Sequence, residues 1–79
     1  AKEYELLELF LRSPNRTFDR AMLLDQLWPF EVAPTEEAIK AHIRRLRQKL
    51  AEAGAPKTLI ETRYGLGYRL NPLFNDADR

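Results

Sequence analysis

The spacing of apolar residues changes along the chain, and each spacing predicts one kind of secondary structure. Between residues 2 and 12 the apolar positions recur every three or four residues, which is typical of an amphipathic helix. The stripe expected to be buried contains Tyr4, Leu7 and Leu11, widened by Leu6 and Phe10. Three glutamates are expected at the surface near the positive end of the helix dipole: Glu3, Glu5 and Glu8.

A second, shorter helix is predicted to begin at Asp19 and to end near Trp28. The Asp19 carboxylate can accept a hydrogen bond from a free backbone N–H of the first turn. Phe18 and Leu23 have the spacing of a hydrophobic staple, and Pro29 disfavours helical angles at Trp28. Trp28 itself is expected in the core. The remaining buried positions of this helix are expected to be leucines: Leu23, Leu24 and Leu27.

A third helix is predicted over residues 36–53, after a stiff connector at 29–34. Thr35 is the expected capping residue, and Gly54 is the expected C-terminal cap. The buried stripe follows the helical spacing i, i+4, i+7, i+11 and consists of Ile39, Ile43, Leu46 and Leu50.

Residues 58–70 change to β-branched residues with rough alternation, and the two glycines at 65 and 67 permit a tight bend. This pattern predicts a β-hairpin. The fold class is therefore mainly α with a small β-hairpin, in the order of a winged helix: a three-helix bundle followed by a wing. We expect residues 1–72 to form this domain and residues 73–79 to be a flexible C-terminal tail.

The charge is concentrated on the third helix, although the formal net charge of the chain is only +1. Residues 40–49 contain five lysines and arginines and no acid. A helix that buries one stripe and presents cations on the other side suits the major groove of duplex DNA. The alternative is an ordinary solvated face, although such faces usually mix both signs of charge.

Other classes of protein have less support in the composition. The chain has no cysteine, which excludes disulfides and thiolate metal sites and fits a reducing compartment. No apolar stretch approaches the roughly 20 residues that span a bilayer, and no signal segment opens the chain. No nucleophile is paired with a base, and a lone histidine makes no metal site. We expect a cytoplasmic domain without a cofactor or membrane contact, and not an enzyme.

Two segments carry a specific resemblance. Residues 38–50 (AIKAHIRRLRQKL) and 60–69 (IETRYGLGYR) closely resemble the effector domain of OmpR/PhoB-type response regulators, and residues 2–7 and 23–28 match its first two helices. The resemblance covers about residues 2–70. It implies a transcription factor of a two-component phosphorelay, whose receiver domain is phosphorylated on aspartate by a sensor kinase. The small N-terminal sheet of the family is missing, so the chain is expected to be a fragment.

The resemblance also implies partners and their positions. Family members typically bind tandem direct repeats of duplex DNA, with the helix at 36–53 in the major groove and the hairpin at 58–70 as the wing. The residues best placed for base edges are Lys40, Ala41, Arg44 and Arg45. The residues expected at phosphate or in the minor groove are His42, Arg47, Thr62, Arg63, Tyr64 and Tyr68. The loop formed by Phe30, Glu31 and Val32 resembles the one that touches RNA polymerase.

Several of these assignments have alternatives. His42 and Tyr68 could instead pack against the core, and Phe30 and Val32 could fold back onto it. The chain also differs from its relatives at two positions. Glu37 stands where many relatives have a phosphate-contacting arginine, and Tyr64 stands where many have an arginine in the wing. Arg63 could take over that minor-groove contact.

Two functions therefore compete at this stage. Sequence-specific DNA binding for transcription regulation is the first. The second is a protein-interaction module, for example one that docks RNA polymerase without reading bases directly. Retardation of random duplex DNA at low salt distinguishes the two, because only the first requires it.

Overall fold

The computed structural model describes residues 1–72 and contains three helices followed by a two-stranded antiparallel hairpin. The predicted fold class is confirmed. The predicted tail at 73–79 lies outside the described residues. The elements are α1 (Lys2–Arg12), α2 (Arg20–Leu27), α3 (Glu36–Glu52), β1 (Ile60–Arg63) and β2 (Gly67–Leu70).

The helix boundaries follow from local hydrogen bonds at the predicted residues. The Asp19 side chain accepts a bond of 2.9 Å from the backbone N–H of Met22, and the Thr35 hydroxyl accepts one of 3.1 Å from Ala38. α3 ends in a Schellman arrangement, in which the N–H of Ala55 donates to the carbonyl of Leu50 at 2.8 Å. Both predicted helix starts and the end of α3 are confirmed to within a residue or two.

The hairpin is attached to the start of α2 by backbone bonds that the sequence did not reveal. Phe18 and Tyr68 form an isolated antiparallel bridge. The backbone nitrogen of Phe18 donates to the carbonyl oxygen of Tyr68 at 2.7 Å, and the nitrogen of Tyr68 donates to the carbonyl oxygen of Phe18 at 3.0 Å. Gly67 stands at this close approach with φ +135°, and a Cβ atom there would lie 2.1 Å from the carbonyl oxygen of Phe18. Only glycine therefore fits at position 67 without moving the backbone.

The core lies between the three helices and the inner face of the hairpin. The aromatic rings of Phe10 and Phe18 meet edge to face at 5.8 Å between centroids. Among residues 1–72, the buried apolar side chains are Leu6, Leu9, Phe10, Phe18, Leu23, Leu27, Trp28, Ile39, Ile43, Leu46, Ile60 and Leu70.

The prediction for the buried face of α1 was right for Leu6 and Phe10 and wrong for Tyr4 and Leu11. Tyr4 is 78% exposed and Leu11 is 56% exposed, while the helix buries Glu3 beside Leu6 and Phe10. The helix is turned so that its 3–6–10 stripe faces the core. This orientation puts Phe10 against Phe18 and lets the Glu3 carboxylate reach cations on α3. The expected surface position of Glu3 was therefore also wrong.

Two further positions are less buried than the patterns predicted. Leu24 of α2 and Leu50 of α3 are half-buried and pack at the edge of the core, because each lies at the border of its helix's buried stripe. Of the helices in residues 1–72, none combines the length and apolar character needed to cross a membrane.

Candidate nucleic-acid interface

The outer side of α3 is the side opposite its buried stripe of Ile39, Ile43 and Leu46. Arg44 is exposed there, and its side chain has no hydrogen bond or ion pair within residues 1–72. Lys40 is also exposed and lies 3.5 Å from Glu37 on the same helix. Ala41 of the same helix is half-buried. This side thus presents the guanidinium of Arg44, which has no partner among the described residues, and the ammonium of Lys40, which is paired with an exposed glutamate.

The side of α3 that faces α1 is organised by one buried carboxylate. Glu3 is only 7% exposed, and its Oε2 accepts a hydrogen bond of 2.7 Å from Nδ1 of His42. Nε of Arg45 donates to the same oxygen at 3.3 Å, and Nζ of Lys49 lies 3.5 Å from Oε1. Three of the basic residues of α3 therefore converge on α1.

These contacts set the protonation state of Glu3. The hydrogen bond from His42, assisted by Arg45 and opposed by burial, lowers the pKa of Glu3 to about 2. The carboxylate is consequently ionised at neutral pH.

His42 occupies the half-buried packing position that the sequence analysis kept as an alternative. Its ring lies 5.5 Å from the indole of Trp28 between centroids, at an interplanar angle of 47°. Trp28 is buried, as predicted, and the ammonium of Lys2 lies 5.1 Å from its ring centroid. The imidazole is thus enclosed between an aromatic ring and the Glu3 carboxylate.

Arg47 attaches α3 to the hairpin. Its guanidinium donates two hydrogen bonds to the carbonyl oxygen of Ile60, at 3.1 Å and 2.8 Å, and one of 2.8 Å to the hydroxyl of Thr62. Both Arg47 and Thr62 were predicted to contact phosphate. In this structure they contact each other.

The tip of the hairpin is open. Tyr64 is 91% exposed. Arg63 is half-buried, and its side chain has no hydrogen bond or ion pair within residues 1–72. Tyr68 is half-buried and packs against the core, which is the second of its two predicted alternatives. At the base of the hairpin, Nε of Arg69 donates to Glu61 at 2.6 Å across the two strands.

A groove of about 390 Å³ separates the hairpin from the first turns of α2 and α3. Lys40 lines it on the α3 side, Arg20 on the α2 side, and Arg63 and Tyr64 on the hairpin side. The structure therefore brings the hairpin tip and one predicted base-reading residue onto the same concave surface. Arg45 and His42 lie outside it, on the side of α3 that faces α1.

The connector between α2 and α3 does not fold back onto the core, so that alternative was wrong. Phe30 is 97% exposed and Val32 is 94% exposed. Glu31 between them forms an exposed ion pair of 3.4 Å with Lys2. The three residues of the predicted polymerase-contacting loop are thus all accessible.

Sequence reasoning named Glu3 and Phe18 but missed the contacts through which they shape this surface. The periodicity contained a signal for Glu3, because it precedes Leu6 by three positions and Phe10 by seven and so shares their helical face. The backbone bridge at Phe18 leaves no such signal, since it does not depend on the side chain. Within residues 1–72, no group of three His, Cys, Asp or Glu residues is placed to hold a metal ion.

Comparison with known proteins connects this geometry to a family. The profile described as "Transcriptional regulatory protein, C terminal" matches residues 1–70. Protein RcaC of Microchaete diplosiphon is 50% identical over 68 residues, which is 86% of this chain and 10% of RcaC. Transcriptional regulatory protein SrrA of Staphylococcus aureus (strain NCTC 8325 / PS 47) is 37% identical over 76 residues, 95% of this chain and 32% of SrrA. The chain thus spans a third or less of these relatives.

Two solved structures share the fold. The DNA-binding domain of the response regulator AdeR, in complex with an intercistronic region, superposes with a TM-score of 0.76 at 28% identity, covering 87% of this chain and 70% of that one. The DNA-binding domain of Bacillus subtilis CssR gives a TM-score of 0.73 at 32% identity, covering 90% and 75%. The predicted resemblance is confirmed: the chain belongs to the family of transcriptional regulatory protein C-terminal domains, the effector domains of OmpR/PhoB-type response regulators.

Proposed function

We propose that this domain binds duplex DNA sequence-specifically and controls transcription as the effector domain of a two-component response regulator. α3 enters the major groove and the hairpin approaches the adjacent minor groove. The family assignment and the likeness to AdeR, whose structure contains an intercistronic region, support this proposal. They support a binding role rather than an enzymatic one, and they do not favour a module that docks proteins without reading DNA.

The observation that carries the proposal is the state of Arg44. It is exposed on the outer side of α3, and it has no partner within residues 1–72. A guanidinium without a partner can bind guanine bidentately, and binding does not require it to break an internal contact first. Lys40 and Arg45 flank it, with Ala41 as a small neighbour that allows close approach of the groove floor.

The hairpin supplies a second point of attachment. Arg63 and Tyr64 face the groove beside α3, and Arg63 has the charge that a narrow minor groove attracts. Arg47 and Thr62 hold the hairpin against α3 through their mutual hydrogen bond. The phosphate contacts predicted for these two residues and for His42 and Tyr68 stay predictions.

Three further features of the proposal concern the whole regulator. The exposed loop of Phe30, Glu31 and Val32 is the surface offered to RNA polymerase. Tandem direct repeats are the expected form of the operator, and the receiver domain of the same protein is the expected source of the signal. A cytoplasmic location accompanies these roles as a prediction.

The test uses a duplex selected from a random pool by the 79-residue chain. Replacing Arg44 with alanine is expected to weaken binding to that duplex by about 1–3 kcal/mol and to change binding to shuffled duplex much less. Fluorescence anisotropy titrations on both duplexes measure the difference. Arg12→Ala is the matched control, because Arg12 is an exposed arginine outside α3 and the hairpin. Equal losses on both duplexes would exclude base reading by Arg44.

A further inference from the structure

A buried acidic side chain lies against the basic side of α3 that faces α1. Glu3 comes from α1, is almost fully buried, and contacts His42, Arg45 and Lys49. Burying a carboxylate is unfavourable unless it is paired and hydrogen-bonded, and Glu3 meets both conditions through these α3 residues. These contacts therefore restrict the side-chain positions of His42, Arg45 and Lys49 as well as that of Glu3.

The hydrogen-bond geometry determines the tautomer of His42. An ionised carboxylate can only accept, so the 2.7 Å contact requires that Nδ1 of His42 carries the proton. The approach of Arg45 Nη2 to the same nitrogen, at 3.2 Å, is then a contact between two donors and not a hydrogen bond. Glu3 is consequently the acceptor that holds both side chains.

The same carboxylate restrains Arg45 while leaving part of it accessible. Nε of Arg45 is bound to Glu3, whereas half of the side chain is exposed and Nη1 has no partner within residues 1–72. A guanidinium fixed at Nε retains its terminal donors in a defined plane. It also loses less rotational freedom when those donors bind a base edge than a fully mobile arginine does.

We propose that Glu3 is a positioning residue for base recognition. From α1 it orients the side chain of Arg45 on α3, together with the neighbouring His42. The inference rests on the proposed function, since it assigns a residue outside α3 and the hairpin to the same DNA-reading site. Glu3 touches no DNA itself. It makes Arg45 selective by restricting the directions in which the guanidinium can reach.

A merely structural ion pair between α1 and α3 is the alternative. Both roles lower stability when Glu3 is replaced, but they differ in their effect on selectivity. If Glu3 acts through Arg45, its replacement reduces the preference for the selected duplex only while Arg45 is present. A structural role leaves that preference unchanged once the folded fraction is taken into account.

The experiment measures the ratio of affinities for the selected and shuffled duplexes in Glu3→Gln, which keeps the shape and removes the charge. The ratio is expected to fall about tenfold, in the middle of the range for residues of one ion-pair network. Glu8→Gln is the matched control, because it removes the same charge from an exposed position of α1 without a partner within residues 1–72. Its ratio is expected to match that of the unmodified chain.

Measuring the affinity ratio with and without Glu3→Gln in a chain that also carries Arg45→Ala completes a double-mutant cycle. There Glu3→Gln is expected to leave the ratio unchanged, whereas an equal fall with and without Arg45 would overturn the proposal. An unchanged ratio in Glu3→Gln alone, with the unmodified chain still selective, would overturn this inference and leave the proposed function standing. A chain with no preference for any selected duplex would overturn both.

Nuclear magnetic resonance of the unmodified chain gives a test that does not depend on how the variants fold. The Nε–Hε group of Arg45 is expected to be rigid before DNA is added, and that of Arg44 is expected to become rigid only with the selected duplex. Equal mobility of the two groups in the free chain would contradict the proposal.

Discussion

On the side of α3 that faces α1, His42, Arg45 and Lys49 share a buried carboxylate, whereas Arg44 on the outer side has no partner within residues 1–72. The two sides have similar charge in the sequence, but their cations differ in what DNA binding requires of them. Arg45 can offer DNA only the donors that Glu3 leaves unbound, whereas Arg44 can offer its whole guanidinium. Counting charges along a helix therefore overstates how many of them are available to phosphate.

The largest expected effect comes from displacing the hairpin, which forms one wall of the groove beside the first turns of α2 and α3. Replacing Gly67 with alanine places a Cβ against the backbone of Phe18 at a positive φ. The free energy of unfolding is expected to fall by more than about 3 kcal/mol. Gly65→Ala is the control, since position 65 also has a positive φ but open space around it, and about 1 kcal/mol is expected there. Urea denaturation measures both, and equal losses would show that the close approach is unimportant.

The carboxylate side can be tested with pH. Because the folded-state pKa of Glu3 is lowered from 4.5 to about 2, its contribution is complete above pH 5 and is lost as the pH falls towards 2. The stability difference between the unmodified chain and Glu3→Gln is expected to shrink by roughly 2 to 3 kcal/mol over that range. Urea denaturation at a series of pH values measures it. A difference that stays constant with pH would show that the charge of Glu3 does not stabilise the fold.

Arg47 extends the comparison between paired and unpaired cations of α3, because its guanidinium already has hydrogen-bond partners on the hairpin. Replacing it with alanine is expected to lower the free energy of unfolding by about 1 to 2 kcal/mol, since three hydrogen bonds are lost. The slope of the salt dependence of binding to shuffled duplex is expected to change by less than the amount that one lost phosphate contact produces. Titrations at several salt concentrations give the slopes for the unmodified chain and for Arg47→Ala. A slope reduced by a full phosphate contact would restore the phosphate contact first predicted for Arg47.

The sequence was sufficient for α3 but not for α1, and the reason is physical. In α3 the aliphatic stripe of Ile39, Ile43 and Leu46 has no apolar competitor, so its burial follows from periodicity. In α1 two adjacent stripes are both apolar enough to be buried. The choice between them depends on Phe18 and on the cations of α3, which are distant in sequence.

The candidate site shows the same division. The presence of a basic helix beside a hairpin could be predicted, because both elements are local. The sequence could not predict which arginine side chains lack a partner. Arg45 and Arg47 differ from Arg44 only because they contact Glu3 and the hairpin, respectively. Those contacts join segments separated by 42 and 15 positions, beyond the reach of helical periodicity.

The bridge between Phe18 and Tyr68 uses only main-chain atoms. It therefore does not depend on the exposed side chains of Tyr64 and Leu66 at the tip of the hairpin. Under the proposed function, a change of preference from one operator to another could come from such tip residues while the backbone bridge is kept.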